Sequence, residues 1–119
     1  MRTNRAIIIT AVVCAAGTLT SFAATLSAAD AKSHIGEQAT VCGQVAGERT
    51  ATGSRGEPTF INLDAACPNQ IFTILVWGED RSNVGQLPSD GERACATGRI
   101  QEYRGVPEIV VRSKAQLGK

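Results

Sequence analysis

The chain has 119 residues and a formal net charge of +1 at pH 7, with 43% hydrophobic and only 4% aromatic residues. This length suits one domain, and the near-neutral charge disfavours strong nonspecific attraction to a polyanion, which requires a surplus of Lys and Arg. One histidine and widely spaced cysteines do not form a zinc-binding pattern. We therefore expect no metal and no cofactor.

The N-terminal segment has the three parts of a secretory signal peptide. Arg2 and Arg5 precede an apolar run over 6–16, and small residues follow. Polar residues interrupt this run before the length of about 20 residues that a membrane-spanning helix needs. We predict a cleaved signal peptide at 1–29 and one mature domain at 30–119, exported to the periplasm or the medium without membrane insertion.

Two positions offer the small residues required for signal-peptide cleavage, one ending at Ala23 and the other at Ala29. The polar part of the chain starts at Asp30, which favours cleavage after Ala29, and the sequence leaves both sites open. Cleavage at either site removes Arg2 and Arg5, so ten cationic residues remain against eleven acidic ones.

Five segments have the composition or the alternation of β-strands. Two of them lie within 58–77, on either side of a turn that contains Pro68 and Asn69. The short link 103–105 predicts a hairpin between the last two. Segment 78–87 loses the alternation and predicts a short helix. The predicted strands are 39–48, 59–64, 71–77, 92–103 and 106–112.

The cysteines of an exported chain meet an oxidising compartment, where they tend to pair. Cys42 and Cys95 both fall on the polar faces of their strands, which are neighbours in a five-stranded Greek-key barrel. A disulfide between them is preferred and leaves Cys67 as a free thiol. Pairing of Cys42 with Cys67, or three reduced thiols, remains open.

The strand pattern, a helix between the third and fourth strands, and two glycine-centred strands, VCGQV and CATGRI, are typical of an OB-fold. The motifs HIGEQATVCGQV, PTFINLD, IFTILVWGED and ATGRIQEYRGVPEIVV resemble small exported bacterial OB-fold proteins allied to the tRNA-anticodon and helicase type of nucleic-acid-binding domain. The resemblance implies an all-β fold: a five-stranded Greek-key OB-fold barrel with a short helix between strands 3 and 4.

The resemblance also implies a ligand site on the face of the second and third strands, bordered by loops 49–57 and 102–107. Single-stranded nucleic acid needs flat side chains for stacking and cations along its backbone. Phe60 and Phe72 are expected in the core, and Tyr103 is the best stacking candidate. The expected ligand-binding residues are Arg49, Arg55, Asn62, Trp77, Arg99, Tyr103 and Arg104.

These observations predict a binding module for single-stranded DNA or RNA, or for another extended ligand. The alternative is an envelope protein that binds a protein or glycan partner through the same surface, which the near-neutral charge favours. An enzyme is not expected, because no Ser or Cys has a matched histidine. His34 is expected to be solvated or bonded locally, and Glu79 and Asp80 indicate a solvated helix start.

Overall fold

The computed structural model describes residues 10–11 and 24–119. Most of the predicted signal peptide therefore lies outside the described residues. The described chain is all-β, with eight strands and three short 3₁₀ turns beside one α-helical turn. The strands are β1 (Ala24–Ser27), β2 (Gln38–Thr50), β3 (Thr59–Leu63), β4 (Thr73–Val76), β5 (Arg93–Arg99), β6 (Gln101–Tyr103), β7 (Val106–Val110) and β8 (Leu117–Gly118).

Seven strands follow one path of hydrogen-bonded neighbours, β6-β7-β4-β3-β2-β5-β8, and β1 pairs with β2 off this path. β4 and β7 are parallel, as are β1 and β2, while the other neighbours are antiparallel. Within the described residues no ladder joins β6 to β8, so the sheet is not closed. β5 continues into β6 after Ile100, and one stretch of chain thus contributes strands near both ends of the path.

The expectation of five strands in a closed barrel differs from the structure in strand number and in closure. All five predicted strands are present, but the fourth divides at the buried Ile100. The division has a local cause, since Ile100 N donates to Glu37 O at 2.9 Å and Ile100 O accepts from Gly36 N at 2.7 Å. The backbone of Ile100 therefore pairs with the loop that precedes β2. β8 lies beyond the last predicted strand, 106–112.

β1 belongs to the part of the sequence that was predicted as the end of the signal peptide. It pairs with the first half of β2 in a register that sets Ala24 opposite Ala39 and Ser27 opposite Cys42. Ala28, which follows β1, is buried in the core. β1 and Ala28 therefore pack against the domain that was predicted at 30–119.

The core is built by the alternating side chains of the strands, because one face of each strand points inward. Its centre is aliphatic, and Phe72 is its largest fully buried side chain, as predicted. The other large core residues are Val41, Val45, Ile61, Leu63, Ile74, Val76, Val84, Ile100, Ile109 and Val111.

Two strand glycines are explained by close approaches. A Cβ at Gly43 would lie 2.9 Å from Asp64 Oδ1, whose carboxylate accepts a hydrogen bond from Gln44 N at 2.8 Å. A Cβ at Gly98 would lie 2.8 Å from Ile109 Cγ2. Asp64 and Ile109 can approach the backbone this closely because glycine has no side chain.

The predicted short helix is confirmed as a 3₁₀ turn, Gly78–Asp80, followed by α1 (Arg81–Val84). Val84 is buried in the core. Gly85, with φ of 78°, ends the helix, so it stops before Pro88. No helix of the described residues has the length and apolar character needed to cross a membrane.

A disulfide joins Cys42 and Cys95, which are direct register partners in β2 and β5. The preferred pairing is thereby confirmed, and Cys67 is an exposed free thiol. A disulfide of this kind is compatible with an oxidising, exported compartment.

Candidate ligand groove

An open groove of about 450 Å³ lies on the outer face of β2, β3, β4 and β7 and beside the tip of the β6–β7 hairpin. This is the face that the resemblance implied. Strand alternation creates it, because the residues between the inward aliphatic positions point to this side. The groove consists of a polar floor and two aromatic residues, each accompanied by an arginine.

A row of polar side chains runs across four strands, and three of its four members form the floor of the groove while Gln101 lies beside it. Asn62, Thr73, Glu108 and Gln101 are successive register partners from β3 to β6. Thr73 Oγ1 donates to Asn62 Oδ1 at 2.9 Å, and Gln101 Nε2 donates to Glu108 Oε1 at 2.6 Å. We call these four residues the polar row.

Glu108 is the ionisable group of the polar row, and only 5% of its surface is exposed. Burial raises the pKa of its carboxyl above the ordinary value of 4.5, because desolvation disfavours the charged form. The hydrogen bond from Gln101 opposes this effect on the pKa without cancelling it. The floor thus holds a partly desolvated acid.

Arg49 and Phe60 form the first arginine–aromatic pair. They are register partners in β2 and β3, and Arg49 Cζ lies 5.5 Å from the centroid of the Phe60 ring. A guanidinium at this distance is attracted by the ring face. Phe60 was expected in the core, but it is half-buried in the groove because Thr59, Ile61 and Leu63 take the inward positions of β3.

Tyr103 and Arg104 form the second pair, at the tip of the β6–β7 hairpin. Tyr103 is 53% exposed, and Arg104 Cζ lies 5.2 Å from the centroid of its ring. The two turn residues, Arg104 and Gly105, both have positive φ, at 50° and 79°, as a type I′ turn requires. The predicted hairpin is confirmed, and its turn sets the Tyr103 ring at the rim of the groove.

The two pairs lie on opposite sides of the polar row. Phe60 stands two residues from Asn62 toward one end of the sheet, and Tyr103 stands two residues from Gln101 toward the other end. From the usual strand spacing and rise per residue, the two rings are about 20 Å apart along the sheet surface. Such a spacing suits an extended ligand rather than a compact one.

Four of the seven expected ligand-binding residues line this groove: Arg49, Asn62, Tyr103 and Arg104. The other three lie elsewhere. The Trp77 ring packs against Gly56, where an added Cβ would come within 2.9 Å of Trp77 Cε3. Arg55 lies in the exposed loop before β3, and Arg99 is exposed at the end of β5. Residues that the sequence assigned to the same ligand site therefore do not all line the groove.

Sequence reasoning missed Glu48, Gln70, Thr73 and Glu108, all of which line the groove. Period-two counting from the buried Ile109 would have put Glu108 on the outer face, but its burial depends on strand order. The Gln70 Oε1 atom is buried without a hydrogen-bond partner. Two acidic and two basic side chains line the groove, so their formal charges nearly cancel.

His34 is away from the groove and bonds locally, as expected: its Nδ1 pairs with Glu37 Oε2. In the part of the chain that the structure describes, no group of three or more His, Cys, Asp or Glu residues is placed to hold a metal ion.

No protein-family model matches the chain, and no curated protein matches it. A solved chain described as a "putative aspartyl-tRNA synthetase" from Leishmania major Friedlin is similar, with a TM-score of 0.53 and 10% identity. The match covers 85% of this chain and 21% of that chain, so this chain spans about a fifth of that protein. Together with the strand order, this likeness shows an OB-like β fold.

Proposed function

We propose that this chain is an exported, nonenzymatic binding module whose groove binds single-stranded DNA or RNA. In this proposal β2, β3, β4, the β5–β6 stretch and β7 are the five strands of an OB barrel, while β1 and β8 are additions to it. The observation that carries the proposal is the pair of arginine-associated rings on either side of the polar row.

The two pairs supply what an unpaired strand of nucleic acid needs. Stacking of a base on an aromatic ring contributes about 1 to 3 kcal/mol, and arginines nearby contact the backbone phosphates. Phe60 and Tyr103 provide the rings, and Arg49 and Arg104 provide the cations. The wide spacing of the rings supports a ligand of several nucleotides.

The similar solved chain is named for an aspartyl-tRNA synthetase, which makes RNA a reasonable ligand class to test. Synthetase activity is not part of the proposal, because this chain corresponds to about a fifth of that protein.

Export is proposed from the predicted signal peptide and supported by the disulfide. Of the two cleavage sites that the sequence leaves open, we propose the one after Ala23. Cleavage there retains β1 and the buried Ala28, whereas cleavage after Ala29 would remove both.

The test is a fluorescence anisotropy titration of end-labelled, mixed-sequence 12-residue DNA and RNA at two salt concentrations. We expect saturable binding that weakens as salt rises, because phosphate contacts release counterions. Tyr103→Ala should weaken binding by about 5- to 100-fold, which corresponds to one lost stacked base. Arg104→Asn should also weaken it, and Asn tolerates the positive φ of this turn position.

Arg55→Ala is the matched control, because Arg55 is an exposed loop arginine outside the groove. Its affinity should equal that of the unmodified protein. If neither the DNA nor the RNA binds saturably to the correctly folded protein in dilute buffer, nucleic acid is not the ligand. Trp77 fluorescence is a poor reporter here, since the indole packs against Gly56 instead of lining the groove.

A second candidate is an envelope protein that binds a protein or glycan partner through the same groove. The near cancellation of charge between Arg49, Arg104, Glu48 and Glu108 favours it. In this case an envelope extract passed over the immobilised protein should yield a partner that Tyr103→Ala fails to retain. Equal retention by Tyr103→Ala and Arg55→Ala would show that the groove is not the binding surface.

A further inference from the structure

The polar row contains a hydrogen-bond acceptor that no group among the described residues satisfies. Within the described residues, the side-chain hydrogen bond of the Glu108 carboxyl is the one from Gln101 to Oε1. In this part of the chain Glu108 Oε2 has no side-chain partner, and it is not among the fully buried unpartnered atoms, so it retains access to the groove. A ligand that covers the row must bring a donor to this oxygen, or leave a desolvated acceptor unpaired.

A phosphate is the wrong group for this position, because a carboxylate repels it. The cations of the groove lie away from Glu108, at Arg49 on one side and at Arg104 on the other. A strand that places its phosphates near these arginines can direct a base edge toward the polar row. Recognition of bases in unpaired strands commonly uses such edges.

We propose that the polar row selects nucleobases that carry an amino group, with Glu108 accepting a hydrogen bond from that group. The inference rests on the proposed function of the groove. Cytosine presents its N4 amino group as a donor, and acidic side chains accept from it. Thymine presents the O4 carbonyl at the equivalent position, and two acceptors then face each other.

Gln101 and Asn62 support this selection from either side. Gln101 donates to Oε1 and so orients the carboxyl with Oε2 free. Asn62 Oδ1 already accepts from Thr73, which fixes the amide and leaves its Nδ2 group to donate to an acceptor of the ligand. The floor thus offers an acceptor at Glu108 and, two strands away, a donor at Asn62.

Two labelled oligonucleotides, (dC)₁₂ and (dT)₁₂, provide the test, because the two pyrimidines have similar size. The protein should bind (dC)₁₂ about tenfold more tightly than (dT)₁₂, the discrimination that one good side-chain–base pairing gives. Glu108→Gln introduces an amide that can donate to O4, so it should abolish or invert this preference while retaining binding. Glu102→Gln removes a neighbouring exposed carboxylate outside the groove and should leave the preference unchanged.

Equal affinity for the two oligonucleotides, or a preference for (dT)₁₂, would overturn this inference and leave the proposed function in place. An unchanged preference in Glu108→Gln would also overturn it. If neither oligonucleotide binds, this inference is overturned, whereas the proposed function fails only if the mixed-sequence DNA and RNA also fail to bind.

Discussion

The buried carboxyl of Glu108 links the groove to the pH dependence of stability. Its pKa is raised in the folded state, so it adds stability that is complete below the ordinary value of 4.5 and is lost as pH rises through the folded pKa. In Glu108→Gln the new side chain does not ionise, and its amide oxygen can still accept the hydrogen bond from Gln101. We expect a higher free energy of unfolding than the unmodified protein at pH 7, with a smaller difference at pH 4, measured by urea unfolding. Glu102→Gln should show no such gain, and an equal gain at both pH values would contradict the assignment.

At the scale of the element, β1 is short but integrated, since it pairs with β2 and leads into the buried Ala28. A chain beginning at Asp30 should therefore unfold more easily than one beginning at Ala24. We expect a loss of about 1 to 3 kcal/mol from a few ladder hydrogen bonds and one buried methyl group, measured in urea. A six-residue Gly/Ser segment before Asp30 should not restore stability.

Mass spectrometry of the exported protein should find Ala24 at its N-terminus. Finding Asp30 there, with unchanged stability, would contradict the role given to β1.

At the scale of the whole molecule, the disulfide between Cys42 and Cys95 spans a sequence separation of 53 residues, a large share of a domain of this size. In the chain-entropy account, a disulfide that closes a loop of this length restricts the unfolded chain and thereby raises the free energy of unfolding by roughly 4 kcal/mol. Because small domains are only marginally stable, we expect the Cys42→Ala, Cys95→Ala double variant to lose a large part of its free energy of unfolding in urea. Cys67→Ala, which changes an exposed free thiol, should behave like the unmodified protein. A double variant of unchanged stability would refute this.

The sequence by itself predicted five strands, the hairpin, the short helix and a preferred disulfide, because each depends largely on local chemistry or simple alternation. Alternating residues in β2 and β5 put Cys42 and Cys95 on matching faces, and the ladder between these strands makes them direct partners. Tyr103 and Arg104 were identifiable as exposed because a glycine turn follows them.

Only the tertiary structure decided which residues of these elements are buried and which residues are neighbours. Segment 24–29 has small residues that suit both a signal-peptide end and an edge strand, and its pairing with β2 is the observation behind the proposed cleavage after Ala23. Phe60 lies in an apolar run whose inward face is set by the register with its neighbours. Burial of Glu108 requires Thr73 and Gln101 on adjacent strands. Sequence alternation assigns a face to each residue, but the order of the strands decides which residues meet there.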